Sequence, residues 1–440
     1  MTRLRTALLT AALAPLALPS LAHAAGFQIR EQSAEGLGRA YSGEAVAASD
    51  ASGIWFNPAQ GVRLGTQATA TLSAISLDAT LEDTGSALTF ANGTVAPVGG
   101  VAGEDPIPFT IIPALSGIYQ VNDQLAVHVS TNVPFGLEVD YGEGYFGRYD
   151  SETSELITAD VQVGTSYAVS PTTSVGASVH LQYVEADLAT ALPDPLGRGL
   201  SPDPATRVPD GRSVLEGNNY GIGFSVGVVQ DLGTRTQVGV SFRSEVEHNV
   251  DGSVIVEGLT APFNVANGRQ EASTSITLPD SVRAGIAFQA SDRLQVTGQV
   301  EWVGWSDFES LDVELQSGAT TSTPFDYKDA TNIGVGLDYR ATDALTLRAG
   351  VSSDPTPTRD DERSTRVPDA DRTWFTAGGS FEFGSGFKLD AGIAYIDAET
   401  VDVVSDSTAF AGQPFAVGVR TRGELQADAI VGSIGLTKRF

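Results

Sequence analysis

The sequence predicts an all-β fold: a transmembrane antiparallel β-barrel of about fourteen strands whose lumen is plugged by an N-terminal hatch. Three observations carry this. Short segments alternate strictly between apolar and polar residues, short and long connections follow one another regularly, and past the first two dozen residues no apolar run reaches the ~18 residues of a spanning helix.

Taken in chain order, Met1 to Ala24 places Arg3 and Arg5 ahead of an apolar stretch and closes on Ala22-His23-Ala24. Basic start, apolar middle and small-x-small end make residues 1–24 a secretory signal peptide, and Pro15 and Pro19 argue against a membrane anchor. Removing Arg3 and Arg5 takes the formal net charge from −28 to about −30. Such a surface repels nucleic acid. The absence of cysteine excludes disulfide staples and thiol catalysis, so the fold must stand on backbone pairing and packing.

Residues 25–65 are too glycine-rich for a good helix and too polar for a core strand, and 66–440 carry the alternation. Its clearest instance is Ser281 to Trp302. Val282, Ala284, Ile286 and Phe288 share one face, a short turn follows at Ala290 to Arg293, and Leu294, Val296, Val300 and Trp302 resume the pattern. The unit recurs at Leu115 to Val133, Ile157 to Tyr183, Tyr220 to Phe242, Ile333 to Val351 and Phe375 to Tyr395. Six hairpins, with further strands near Thr69 to Leu77 and Ala427 to Phe440, give about fourteen strands. Turns of roughly four residues within hairpins and loops of about twenty to thirty-five between them put short turns on one rim and long loops on the other. Apolar faces outward and polar faces inward then satisfy the membrane's demand that no strand edge stay unpaired. The chain ends on Phe440, with Leu436 and Ile434 in register behind it, which resembles the terminal signal read by the barrel-assembly machinery. Lys438 departs from the usual apolar step.

A barrel of this size is too wide for side chains alone to fill, so residues 25–65 are expected to occupy its lumen. Within them Asn57 can cap a short helix, Pro58 suits its first turn, and Gly61 can end it. The segments "AGFQ" (Ala25 to Gln28), "GLGRAYSGEA" (Gly36 to Ala45) and "NPA" (Asn57, Pro58 and Ala59) resemble the hatch of the FadL/TodX-type outer-membrane transporters. "RSEV" (Arg243 to Val246), "WSDF" (Trp305 to Phe308), "YKDA" (Tyr327 to Ala330) and "VPDADRTWFTAG" (Val367 to Gly378) extend the resemblance over nearly the whole mature chain.

What the resemblance implies is a fourteen-stranded barrel in the outer membrane that takes up hydrophobic molecules passively. Long-chain fatty acids come first, with neutral aromatic or aliphatic hydrocarbons as the alternative. A pocket would lie against the hatch and an exit would lead sideways into membrane lipid. Phe27 matches a family aromatic close to the ligand. Asn132, Pro134, Phe135 and Gly136 stand where the third strand loses its alternation. Proline lacks a ladder donor and glycine marks bulges, and the family's strand kink falls at the matching position. The family's pocket cations have no clear counterpart, because "TTSTPFDYKDA" holds no basic residue before Lys328. Arg198 and Arg207 are the available candidates for a carboxylate contact. His128, His180 and His248 lack metal-ligand spacing, and Gly221, Gly223 and Gly227 lead into no helix, so neither a metal nor a cofactor is expected. A hydrolase and a general porin are the remaining alternatives.

Overall fold

The computed structural model describes residues 26–142, 144–201, 205 and 207–440; the signal peptide assigned to 1–24 lies outside them. Fourteen antiparallel strands form one closed sheet. β1 is Gln67–Asp83, β2 Thr110–Asn122, and β3 comprises Leu125–Asn132 and Gly136–Asp140. β4 is Thr153–Ser170, β5 Thr173–Leu192, β6 Gly211–Leu232, and β7 comprises Thr236–Arg243 and Val246–Glu257. β8 joins Gly268–Leu278 to Ser281–Gln289, β9 joins Leu294–Val303 to Ser310–Leu315, and β10 joins Thr320–Pro324 to Ala330–Arg340. β11 is Leu345–Asp354, β12 Arg372–Phe383, β13 Phe387–Ala398 with Val401–Ala409, and β14 Val417–Arg439. β1 pairs with β14 from Gln67↔Arg439 to Asp83↔Gly423, which closes the barrel.

In the lower half the faces divide as alternation requires. Val282, Ile286, Phe288, Val296 and Val300 point outward and stay exposed, while Ser281, Arg283, Thr297, Gln299 and Glu301 point into the lumen and are buried. Aromatic residues flank this outward apolar band, Tyr220 and Tyr395 on one side and Tyr119, Tyr167, Tyr339, Phe381 and Phe383 on the other, the positions their amphipathic rings favour in a bilayer.

The long connections are shorter than the alternation implies, because the strands continue past the lipid. Between Phe242 and Ser281 the chain forms Val246–Glu257 and Gly268–Leu278, paired with one another, and only 258–267 connects them. There the polarity is inverted: Val246, His248 and Val250 face inward, and Glu245, Glu247 and Asn249 outward. Above the membrane the outer face meets water, so the apolar side of the strand turns to the interior.

The N-terminal segment fills the lower lumen with short helical pieces: α1 Ala34–Leu37, α2 Gly53–Phe56, a 3-10 turn Pro58–Gln60 and α3 Gly61–Leu64. The Ser33 hydroxyl caps α1 by accepting from the Gly36 N–H at 2.9 Å, and Asn57 Oδ1 caps the 3-10 turn by accepting from Ala59 N–H at 3.0 Å. Gly61 ends the 3-10 turn, its N–H donating to the Pro58 carbonyl, and at the same time opens α3, whose own stop is Gly65 at φ 73°. The many strand glycines acquire a purpose here. A Cβ on Gly176 would collide with the Pro58 backbone, and one on Gly350 with the Arg39 carbonyl. These glycines let the backbone of the plug lie directly on the wall. Gly176→Val should therefore leave strand pairing intact, as read by heat-modifiable mobility in detergent gels, yet unseat the plug and raise single-channel conductance above that of the parent protein.

Candidate functional site

Above the plug the lumen contains a narrow apolar cavity. Its lining includes Phe27, Leu137, Leu156, Leu188, Leu215, Val250, Ile276, Phe308, Leu311 and Phe325, with Glu216, Ser273, Thr274 and Arg366 the polar exceptions. Inverted strand polarity builds it: the inward apolar faces of β4 to β8 converge where they leave the membrane. Between β8 and β9 the ladder lapses from Ser281↔Val303 to Ser273↔Glu314, and the extra residues of β9 turn Trp305 and Phe308 inward.

Phe27 is the floor of this cavity. Its ring packs edge-on against Trp305 (centroids 4.8 Å apart), Phe308 (5.4 Å) and Phe135 (6.1 Å). The adjoining backbone acts as a short strand against the break in β3. Ile29 N–H donates to the Pro134 carbonyl at 2.8 Å, and Gly136 N–H donates to the Phe27 carbonyl at 2.8 Å. Gln32 supports the same break: its Nε2 donates to the Val133 carbonyl at 2.6 Å, and its Oε1 accepts from Asn132 Nδ2 at 3.1 Å. Thus Asn132, Pro134, Phe135 and Gly136 come together with Phe27 although more than a hundred residues separate them. The β2–β3 ladder stops at Leu115↔Thr131, and Gly136–Asp140 pairs only with β4. The wall between β2 and β3 therefore lacks a ladder beside the cavity.

Asn57, Pro58 and Ala59 lie at the lower wall instead. Asn57 Nδ2 donates to the carbonyls of Ala45 (2.7 Å) and Val228 (3.2 Å), which ties the plug to itself and to β6. Arg198 is paired with Asp194 at 2.6 Å in an outer loop, and Arg207 is exposed and donates to the Ser201 carbonyl. Neither lines the apolar cavity.

The plug is fixed to the opposite wall by buried charge. Arg39 pairs with Glu44 (2.8 Å), Asp338 of β10 (2.9 Å) and Glu35 (3.1 Å). Lys388 of β13 reaches Glu35 (2.6 Å), Asp50 (3.0 Å) and Asp390 (3.2 Å), and Arg348 of β11 reaches Asp338 at 3.3 Å. Glu35, Asp50 and Asp390 have metal-like spacing, but the Lys388 ammonium already occupies the point where they converge. An inward Lys388 and Asp390 flanking outward Leu389 was the available sequence signal for this anchor.

A second constellation imitates a hydrolase. Ser225 Oγ lies 2.8 Å from His180 Nε2, and His180 Nδ1 lies 3.3 Å from Asp160. The Arg243 guanidinium, stacked 3.4 Å above the Trp55 ring, directs Nη1 at that same Nδ1. Arginine has only donors, so Nδ1 must hold the lone pair and Nε2 the proton. Ser225 then accepts from the histidine and keeps its own proton, the reverse of an activated nucleophile. None of these residues lines the apolar cavity.

The sequence model of the family described as "Outer membrane protein transport protein (OMPP1/FadL/TodX)" matches residues 16–440. The 47 kDa outer membrane protein of Pasteurella multocida is 28% identical over 410 residues, 88% of this chain and 90% of that protein. The long-chain fatty acid transport protein of Escherichia coli O157:H7 is 26% identical over 420 residues, covering 89% and 92%. Among solved structures, a Pseudomonas aeruginosa FadL homologue superposes with a TM-score of 0.81 at 23% identity, covering 94% of this chain and all of that one. The P. putida toluene transporter TodX does so with a TM-score of 0.67 at 19% identity, covering 93% and 98%.

Two buried carboxyls predict a pH dependence of plug seating. Burial pushes the carboxyls of Glu31 and Glu44 up to about 7, each against the pull of a neighbouring arginine. A carboxyl raised in the folded state favours folding while protonated. That contribution is complete below the ordinary carboxylate range and is lost as pH rises through about 7. The plug should resist added protease better at pH 5 than at pH 8, and Glu31→Gln with Glu44→Gln should narrow the difference.

Proposed function

Because the chain belongs to the OMPP1/FadL/TodX family of outer membrane transport proteins, we propose that it carries hydrophobic molecules, long-chain fatty acids foremost, inward by diffusion. The observation that supports this most directly is the apolar cavity, whose floor, Phe27, is hydrogen-bonded through its backbone to the broken strand β3. A ligand enters from the outer face, settles above Phe27, and leaves once the N-terminal segment releases β3. Among the described residues, two backbone hydrogen bonds, Ile29 to Pro134 and Gly136 to Phe27, hold that contact directly. Release into lipid keeps the ligand's apolar area out of water, worth about 25 cal/mol per Å². In this reading Asn132, Pro134, Phe135 and Gly136 form the lateral gate. The hatch blocks the axial route, with Asn57, Pro58 and Ala59 holding it to the wall. Outer-membrane lipid surrounds the apolar band, and the segment ending at Phe440 engages the assembly machinery. Neutral hydrocarbons are the second reading, favoured by the scarcity of polar groups in the lining.

Two experiments test this. Phe27→Ala should weaken binding of a labelled long-chain fatty acid by about 1–3 kcal/mol, the contribution of one buried apolar side chain, with heat resistance in detergent unchanged. Replacing Pro134 and Gly136 together with valine should favour a continuous β3, so a correctly assembled double variant should lose most whole-cell uptake. Normal uptake by that variant would exclude the lateral route.

A further inference from the structure

The wall beside the cavity is interrupted at a second place. Between β8 and β9 the ladder ends at Ser281↔Val303 and returns higher up for two pairs, Ser273↔Glu314 and Ala272↔Leu315. Across residues 274–279 of β8 and 305–313 of β9 no ladder pair joins the strands. Apolar side chains close this seam instead: Ile276, Leu278, Trp305, Phe308 and Leu311 are all buried there. Ile276, Phe308 and Leu311 also line the cavity, so the seam is part of its outer wall. It lies six strands round the fourteen-stranded ring from the β2–β3 interruption, almost diametrically across the lumen. Phe27 stands between the two, with its ring against Phe135 on one side and Trp305 and Phe308 on the other. The two interruptions present different chemistry outward. Beside β2–β3 the exposed residues Phe109 and Leu115 are apolar and suit hydrocarbon. Beside β8–β9 they are Ser273 and Ser275 on β8 and Asp307, Glu309 and Asp312 on β9. The seam thus begins directly above Val282, where the outward apolar band gives way to the hydrated headgroup layer, and there a stretch of wall without a ladder is tolerable.

We propose that the β8–β9 seam is an entry port for uncharged hydrophobic molecules dissolved in the outer leaflet. The inference rests on the transport reading above and supplies the inward step for neutral ligands. Parting the seam separates side chains but breaks no strand-to-strand hydrogen bond until the two pairs at its upper end are reached. An apolar molecule sliding in from the leaflet replaces those side-chain contacts with its own and reaches the cavity without a step in bulk water, so its apolar area stays covered. The carboxylates of Asp307, Glu309 and Asp312 repel an ionised head group on the same path. Once inside, the molecule lies against Phe308, which packs on Phe27, so filling the cavity from this side bears on the ring that rests against the β3 break.

The chain has no cysteine, so an engineered pair of thiols can pin the seam without competing chemistry. Ser273 and Glu314 are exposed ladder partners at its upper end, and Ser273→Cys with Glu314→Cys puts two thiols within reach of a disulfide or of a short bis-maleimide. Cells carrying the bridged variant, with assembly confirmed by heat-modifiable mobility, should lose most of their uptake of labelled dodecylbenzene and regain it when dithiothreitol reduces the disulfide. Thr373→Cys with Asp397→Cys, which bridges the continuous β12–β13 ladder, should leave uptake at the parent level. Full dodecylbenzene uptake through the bridged seam would overturn the port while leaving the transport reading intact, and so would an equal loss in the β12–β13 control. A parent protein that takes up labelled palmitate but not dodecylbenzene would also overturn the port alone. One that takes up neither overturns the transport reading first, and the port with it.

Discussion

The constraint on which everything else depends is that hydrocarbon offers no partner for a backbone N–H or C=O. A sheet in lipid must therefore close on itself, and the seventeen-pair ladder between Gln67–Asp83 and Val417–Arg439 does so. Closure at fourteen strands leaves a lumen wider than side chains alone can fill. The chain solves this with its own N-terminal segment. That segment in turn needs close approach to the wall, which explains why glycines such as Gly176 and Gly350 face inward on strands where a larger residue would pair more strongly.

The same constraint decides where the wall can yield. In the lipid-facing half each strand has both neighbours, so an opening there would strand polar groups in hydrocarbon. Beside the cavity the β2–β3 ladder has ended, and the backbone groups of the β3 break are satisfied by the plug instead: Ile29 on Pro134, Phe27 on Gly136, Gln32 on Val133. Because those partners belong to a segment outside the sheet, moving the segment alters the wall without breaking any strand-to-strand bond. The two halves of the plug are held differently. The part around Glu35, Arg39 and Glu44 is locked by buried charge to β10, β11 and β13, where loss of one partner would typically cost about 3–5 kcal/mol. The tip at Phe27 rests on aromatic contacts, two backbone bonds and the donation of the Gly26 N–H to the Asp369 carboxylate at 2.7 Å.

The Ser225–His180–Asp160 cluster shows how far proximity falls short of chemistry. The separations suit a triad, but Arg243 sets the tautomer against it, and the cluster serves to join β4, β5, β6 and β7 to Trp55 of the plug. A lumen lined with polar side chains will produce such groupings wherever satisfied hydrogen bonds are needed in a confined space.

By itself the sequence determined the strand count, the antiparallel hairpins and the division of faces, because a two-residue period in contact with lipid leaves Val282, Ile286 and Phe288 no other direction. It also marked Phe27 and the Asn132 to Gly136 break, the first through its place in a family motif and the second through the backbone chemistry of proline and glycine. Only the tertiary structure decided that these two meet, since their contact spans more than a hundred residues and depends on how the plug turns inside the barrel. It also extended the strands into what alternation implied were loops, because above the membrane the apolar face turns inward and the outward signal reverses. It also placed Arg198 against Asp194 and Arg207 against the Ser201 carbonyl, away from the apolar cavity. A loop arginine carries no periodicity, so whether it meets solvent, a carboxylate or an apolar chamber is fixed by packing alone.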